Sequence, residues 1–249
     1  MVSKTSLWRR ASAGRFHAVC AVLAVGLSAA TGAQPTTDNI AAGKATAKGP
    51  QLAIRGFVSE ETLPGLFSFR RCEGNRLVPR AFMLNDLTPN RLVFSGIVEV
   101  RKVRREFDRP LYVELRGQLT DKTVNAQRFG RAVGHVESCA DIQSATPAQA
   151  TLYAEGDDPV AWRFVASNAG ARLEIVGEKP IRFPAAAFAS PQIQGATRTY
   201  DAWSRDDGGS VRIEVSEQIC VHGGKEAAYG ARMLVRFGSR SFEGCAARY

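Results

Sequence analysis

Apolar and polar residues alternate with a period of two over much of the chain, and long runs with helical spacing are scarce. Ala231, Met233, Val235 and Phe237 alternate with Arg232, Leu234, Arg236 and Gly238, the pattern of a strand with one buried and one wet face. Residues 211–215 repeat it. Before them, Asp206-Asp207-Gly208-Gly209 is a hairpin-turn signal, because Asp and Gly tolerate the positive φ such turns require. Further strands are predicted over 161–165, 172–176 and 193–200, with Asn168-Ala169-Gly170 as a turn. In the first half the candidates are 52–58, 66–69, 77–84, 92–101 and 111–119. The last has Leu111, Val113 and Leu115 inward against Tyr112, Glu114 and Arg116. The best helical candidates, 125–131 and 184–188, span only about two turns each. The pattern predicts an all-β chain of two small antiparallel β modules, barrel- or sandwich-like, over 50–147 and 150–249. The small, polar, Pro-bearing stretch Ser144 to Gln149 marks the junction.

The N-terminus departs from this pattern and sets the compartment. Lys4, Arg9, Arg10 and Arg15 form a positive leader, residues 18–30 an apolar run, and Thr31-Gly32-Ala33 a small-residue cleavage site before Gln34. The apolar run falls short of the roughly 20 residues that span a bilayer, so 1–33 reads as a signal peptide and no transmembrane segment is expected after its removal. Cys20 begins the run rather than ending it, which argues against a lipoprotein. Residues 34–49, rich in Thr, Ala and Gly, read as a flexible leader. Export to the periplasm of a bacterial envelope is the expected localisation. The signal carries four of the 33 Lys and Arg and none of the 24 Asp and Glu, so its removal lowers the net charge from +9 to +5. The mature protein is only mildly basic.

Of the five cysteines, four remain after that removal: Cys72, Cys139, Cys220 and Cys245. An even number in an oxidising compartment favours disulfides over free thiols. Three pairings are possible, and spacing favours Cys72–Cys139 and Cys220–Cys245, one staple in each half. A zinc site needs ligands at short regular intervals, and Cys220-Val221-His222 is the nearest approach. A catalytic Cys220–His222 pair is excluded if the sulfur is already bonded. His222 then reads as a loop histidine beside Gly223-Gly224.

Other stretches carry a resemblance. GDDPVAW (Gly156 to Trp162), Phe183-Pro184-Ala185, TYDAW (Thr199 to Trp203), Cys220 with Tyr229, and Gly244-Cys245-Ala246 occur in that order. On these the second half resembles the C-terminal module of an uncharacterised family of proteobacterial envelope proteins. That family shows a Gly-x-Glu-Pro-Phe-Trp opening, Phe-Pro, a Tyr-x-Ala strand, a Cys followed by Tyr, and a closing Gly-Cys-Ala. Asp158 stands where Glu is usual, one residue is inserted before Trp162, and His222 and Gly223 replace the acid and Ser usual after the first Cys. Any site those polar residues form in the family is lost here. PLYVELRG (Pro110 to Gly117) loosely resembles the family's N-terminal β module. The resemblance implies an envelope compartment and a β fold, and brings no activity.

Candidate chemistry is sparse. RKVRREFDRP (residues 101–110) offers Arg101, Lys102, Arg104, Arg105 and Arg109 to an anionic partner such as lipopolysaccharide phosphate or acidic glycan, or forms a solvated hairpin tip. Trp162 and Trp203 are candidates for a ligand groove, against the alternative of core tryptophans. Asp157-Asp158 and Asp206-Asp207 are acid pairs of the kind glycosidases use, although adjacent acids in turns are usually only turns. No nucleophile-elbow, Ser-x-x-Lys, His-Glu-x-x-His or phosphate-binding glycine motif is present, and no cofactor or metal is expected. The basic run lacks stacking aromatics and the chain is exported, so nucleic acid is not an expected partner. The leading expectation is a non-catalytic envelope protein whose β modules bind a ligand, an anionic envelope component or another envelope protein. The alternative is a periplasmic hydrolase built on an unrecognised acid pair.

Overall fold

The computed structural model describes residues 51–63, 65–105, 109–141, 149–204 and 208–249. The signal and leader (1–49), most of the Ser144–Gln149 junction and the Asp206-Asp207 pair lie outside the described residues. The first half comprises β1 (Leu52–Glu60), β2 (Phe67–Glu73), β3 (Arg76–Asp86), α1 (Leu92–Arg104), β4 (Leu111–Leu119) and β5 (Thr123–Val133). β1 pairs antiparallel with β2 and β4, and β2 with β3. β5 runs antiparallel to β4 and parallel to β3, so the circuit β1-β2-β3-β5-β4 returns to β1 as a five-stranded barrel. Strand order and the helix between β3 and β4 are those of an OB-type barrel, a topology that hosts unrelated functions. Ile54, Val58, Phe69, Leu84, Val113 and Val124 fill its core.

Two expectations fail in this half. Residues 92–101 form helix rather than strand, because the buried positions Val93, Gly96, Ile97, Val100 and Arg101 recur at helical spacing. Their β-branched content suggests a strand, but burial against the barrel decides. Gly96 lets the helix approach β5 so closely that a Cβ there would lie 2.4 Å from the Phe129 ring. The first-turn amides are satisfied from the preceding loop: Leu92 donates to Thr88 Oγ1 at 2.7 Å and Phe94 to Asp86 Oδ2 at 2.9 Å. Conversely, 125–131 is not helical. It lies in β5, where Val124 and Ala126 turn inward and both strand edges are paired.

The second half comprises β6 (Ala150–Asp158), β7 (Trp162–Ser167), β8 (Gly170–Ile175), β9 (Ile181–Phe183), β10 (Gln192–Gln194), β11 (Thr197–Trp203), β12 (Ser210–Ser216), β13 (Cys220–His222), β14 (Ala227–Tyr229), β15 (Ala231–Phe237) and β16 (Arg240–Arg248). The expected strand over 193–200 is split by a turn at Gly195, whose φ is 60°. An antiparallel sheet runs β10-β11-β12-β15-β16-β6-β7-β8-β9 and curls into a half-barrel. The single turn Ala185–Phe188 bridges its two edges. The Phe188 ring lies 5.6 Å from both Phe164 and Tyr200, and 6.4 Å from Phe183.

β13 and β14 leave this sheet and extend the barrel. Ala227 pairs with Val133 and Tyr229 with Arg131 on β5. Gly230 makes the return to β15 possible, since a Cβ there would sit 2.2 Å from the Phe129 carbonyl oxygen. The disulfides are Cys72–Cys139 and Cys220–Cys245, as the spacing favours. The second joins β13 of one sheet to β16 of the other. Around it lies a third core that draws on both halves, with Phe57, Tyr112, Val133, Tyr153, Tyr229 and Ala247. For this reason Tyr112 and Glu114, expected to face water, are fully buried.

Candidate functional site

The outer face of β4 and β5 carries charged rows with opposite fates. In one row, Glu114 stands between Arg55 on β1 and Arg131 on β5. Arg131 donates to Glu114 through Nε at 3.2 Å and Nη2 at 3.3 Å, Tyr112 donates its hydroxyl at 2.8 Å, and Tyr249 adds another. Burial would raise the Glu114 carboxyl, but Arg131 and these donors outweigh it and hold the group below the usual carboxylate range. Nearby, Glu155 accepts from Lys225 at 2.6 Å, Tyr153 at 2.8 Å and Tyr229, and is likewise held low against its burial. These groups are mutually satisfied and join the two halves.

The next row has no acid. The register places Arg116 on β4 directly opposite Arg128 on β5, an arrangement that is ordinarily destabilising. The second half brings two more guanidiniums to the same place, Arg198 from β11 and Arg248 from β16. Together with Glu217, Arg128, Arg198 and Arg248 line a cleft of about 200 Å³ between barrel and half-barrel. Pro89 and Leu92 bring apolar side chains to it, and Thr88, Phe129 and Ala231 complete its lining. Glu217 accepts from Arg248, and the same oxygen lies 3.9 Å from Arg198 Nε. Among the described residues, neither Arg116 nor Arg128 has a carboxylate within ion-pair distance, and Arg116 Nε is buried without a hydrogen-bond partner. Burial and Arg248, with Arg116 and Arg198 behind them, pull Arg128 below its usual range against the opposing effect of Glu217. Burial and Arg198 do the same to Arg248. Three guanidiniums facing one carboxylate in a half-enclosed cleft, with Arg116 beside Arg128 on the adjacent strand, make a site for an anion.

The residues picked out from the sequence lie elsewhere. Arg101 is buried on α1, paired with Glu60 at 2.5 Å and stacked 5.4 Å over the Phe67 ring. Lys102 pairs with Glu99 at 2.7 Å, Arg104 lies 3.7 Å from Glu226, and Arg105 ends the helix in a left-handed conformation. Arg109 follows undescribed residues 106–108 and lines a separate hollow of about 390 Å³ with Arg104 and Pro110. Residues 101–105 thus close a helix instead of following a strand into a hairpin tip. Trp162 is core: it lies over Gly156 and Gly244, where added Cβ atoms would meet its indole at 2.6 and 2.8 Å. Trp203 is 70% exposed on β11 and lines a hollow with Asp201, Arg212 and Arg236, to which Trp162 does not contribute. Asp157 lies 3.1 Å from His222 Nε2 in a shallow hollow beside Cys220–Cys245, with Asp158 on its rim. Among the described residues, no group of His, Cys, Asp and Glu is arranged to hold a metal ion.

The disulfides indicate an oxidising, extracytoplasmic compartment. No helix among the described residues is long and apolar enough to cross a membrane. No known protein family, curated protein or solved structure matches the chain.

Proposed function

We propose that this is an exported, periplasmic, non-catalytic envelope protein that binds an anionic envelope component in the arginine cleft. The observation that carries the reading is the charge imbalance: Arg128, Arg198 and Arg248 line a cleft that holds one carboxylate, Glu217, and the register sets Arg116 directly beside Arg128 with no acid in that row. Such crowding destabilises the empty protein and is relieved when an anion binds, so selection for folding alone would not assemble it. The signal-like N-terminus, the two disulfides and the resemblance to envelope proteins support the compartment. The buried Glu114 network supports a cleft that is rigid before the ligand arrives, because it fixes β4 and β5 against the second half.

The test is retention of detergent-solubilised envelope material on the immobilised chain lacking residues 1–33. The wild-type protein is expected to hold anionic glycolipid or acidic polysaccharide that elutes with salt. Arg128→Glu with Arg248→Glu is expected to hold none. Equal retention by both would remove the cleft from the function.

A further inference from the structure

We infer that the anion the cleft takes is a phosphate monoester on a compact carbon skeleton, and that Glu217 is the internal counter-ion it displaces. This rests on the anion-binding reading above and specifies its ligand. A carboxylate carries one charge, whereas the three guanidiniums that line the cleft, less the one charge of Glu217, leave a net +2 to balance. Here Arg128, Arg198 and Arg248 line the cleft, and Arg116 stands beside Arg128 on the adjacent strand, about 5 Å away at its Cβ atom. Three planar forks lining one cleft suit an anion with three equivalent oxygens and about two charges, which is a phosphomonoester near neutral pH.

Glu217 already plays the anion's part. One of its carboxylate oxygens serves both Arg248 and Arg198. The residue follows β12, its side chain is 30% exposed, and its backbone is tied to Ala196 by a 3.1 Å hydrogen bond. The side chain has solvent to swing into while the backbone stays. Size limits what accompanies the phosphate: about 200 Å³ lies below the 300–1,000 Å³ usual for drug-sized ligands, so the cleft admits a head group rather than a whole ligand. Pro89 and Leu92 at the cleft give that group an apolar edge to rest on.

Calorimetric titration of the disulfide-intact chain lacking residues 1–33, in phosphate-free buffer, tests this. Glucose 1-phosphate is expected to bind one to one, at least tenfold tighter than glucuronate. Its affinity should rise several-fold from pH 5 to pH 7.5 as the phosphate takes its second charge, while that of glucuronate does not. Arg128→Gln should weaken glucose 1-phosphate at least tenfold, Glu217→Gln should strengthen it several-fold, and the surface change Arg172→Gln should leave it unchanged. Inorganic phosphate and phosphatidic acid vesicles, titrated alongside, distinguish free phosphate and a lipid head group from a phosphosugar as the source. Glucuronate binding as tightly in an Arg128-dependent way would overturn the phosphate assignment and leave the anion site standing. Binding of either probe that ignores Arg128→Gln would overturn both. Weaker binding by Glu217→Gln would show that Glu217 holds the ligand instead of making way for it.

Discussion

At Glu114, burial and charge oppose each other, and the surroundings decide the outcome. The carboxylate is fully buried, and so is most of Arg131, at 4% exposed. Removing one member strands the other, a change that typically costs about 3–5 kcal/mol, whereas replacing both with apolar groups can be nearly neutral. Glu114→Gln should therefore lower the urea-unfolding free energy by about that amount. Adding Arg131→Met to it should recover part of the loss, and additive losses would show that the two side chains act independently. The pH dependence follows from the same pair. The folded carboxyls of Glu114 and Glu155 titrate below their unfolded range, so their contribution is fully present above the unfolded pKa of about 4.3 and is lost as pH falls through the folded values. Unfolding free energy measured from pH 7 to pH 3 should drop below about pH 4.3, and the drop should be shallower in Glu114→Gln.

Elements with one wet face were legible in the sequence, and elements covered on both faces were not. β12 and β15 read correctly because Arg and Glu alternate with buried Val, Ile and Met over the half-barrel core. The extent of β4 is legible but the burial of its outer face is not, since nothing in PLYVELRG announces that the other half of the chain will cover Tyr112 and Glu114. β13 and β14 are three residues each, too short to show a period. The arginine cleft was invisible for a related reason: Arg116, Arg128, Arg198 and Arg248 are scattered in sequence, and only the strand register gathers them. Expecting a helix over 125–131 hid the one local clue, the Arg116–Arg128 facing pair. In α1 the helical spacing of Val93, Ile97 and Val100 is present, but their β-branched side chains carry the opposite, strand-like signal. Ile97→Ala should cost about 2–5 kcal/mol by cavity formation. Gly96→Val should destabilise comparably by forcing Phe129 aside. Thermal melts followed at 222 nm check both, and an unchanged melting temperature for Gly96→Val would mean that the helix does not press on β5.

For the whole molecule, the boundary near Pro147 divides the sequence more cleanly than it divides the structure. Two small β modules, each with its own staple, would lose stability separately. Yet β14 hydrogen-bonds to β5, the Cys220–Cys245 bond ties the barrel's sheet to the half-barrel's, and the third core takes Phe57 and Tyr112 from one side and Tyr153 and Ala247 from the other. Opening either half alone would expose that core and the buried Glu114 and Glu155 networks, so the two halves should unfold together. Closing the 25-residue separation between Cys220 and Cys245 is worth roughly 3–4 kcal/mol in unfolded-chain entropy. Cys220→Ala with Cys245→Ala should therefore lower the stability of both halves by a similar amount. Tryptophan fluorescence reports the second half, where Trp162 and Trp203 lie, and hydrogen exchange of β1 and β4 amides reports the first. In the double variant the two probes should give the same reduced unfolding free energy. If the fluorescence transition shifts while the barrel amides keep their original protection, the halves are independent domains and the shared core contributes nothing to their coupling.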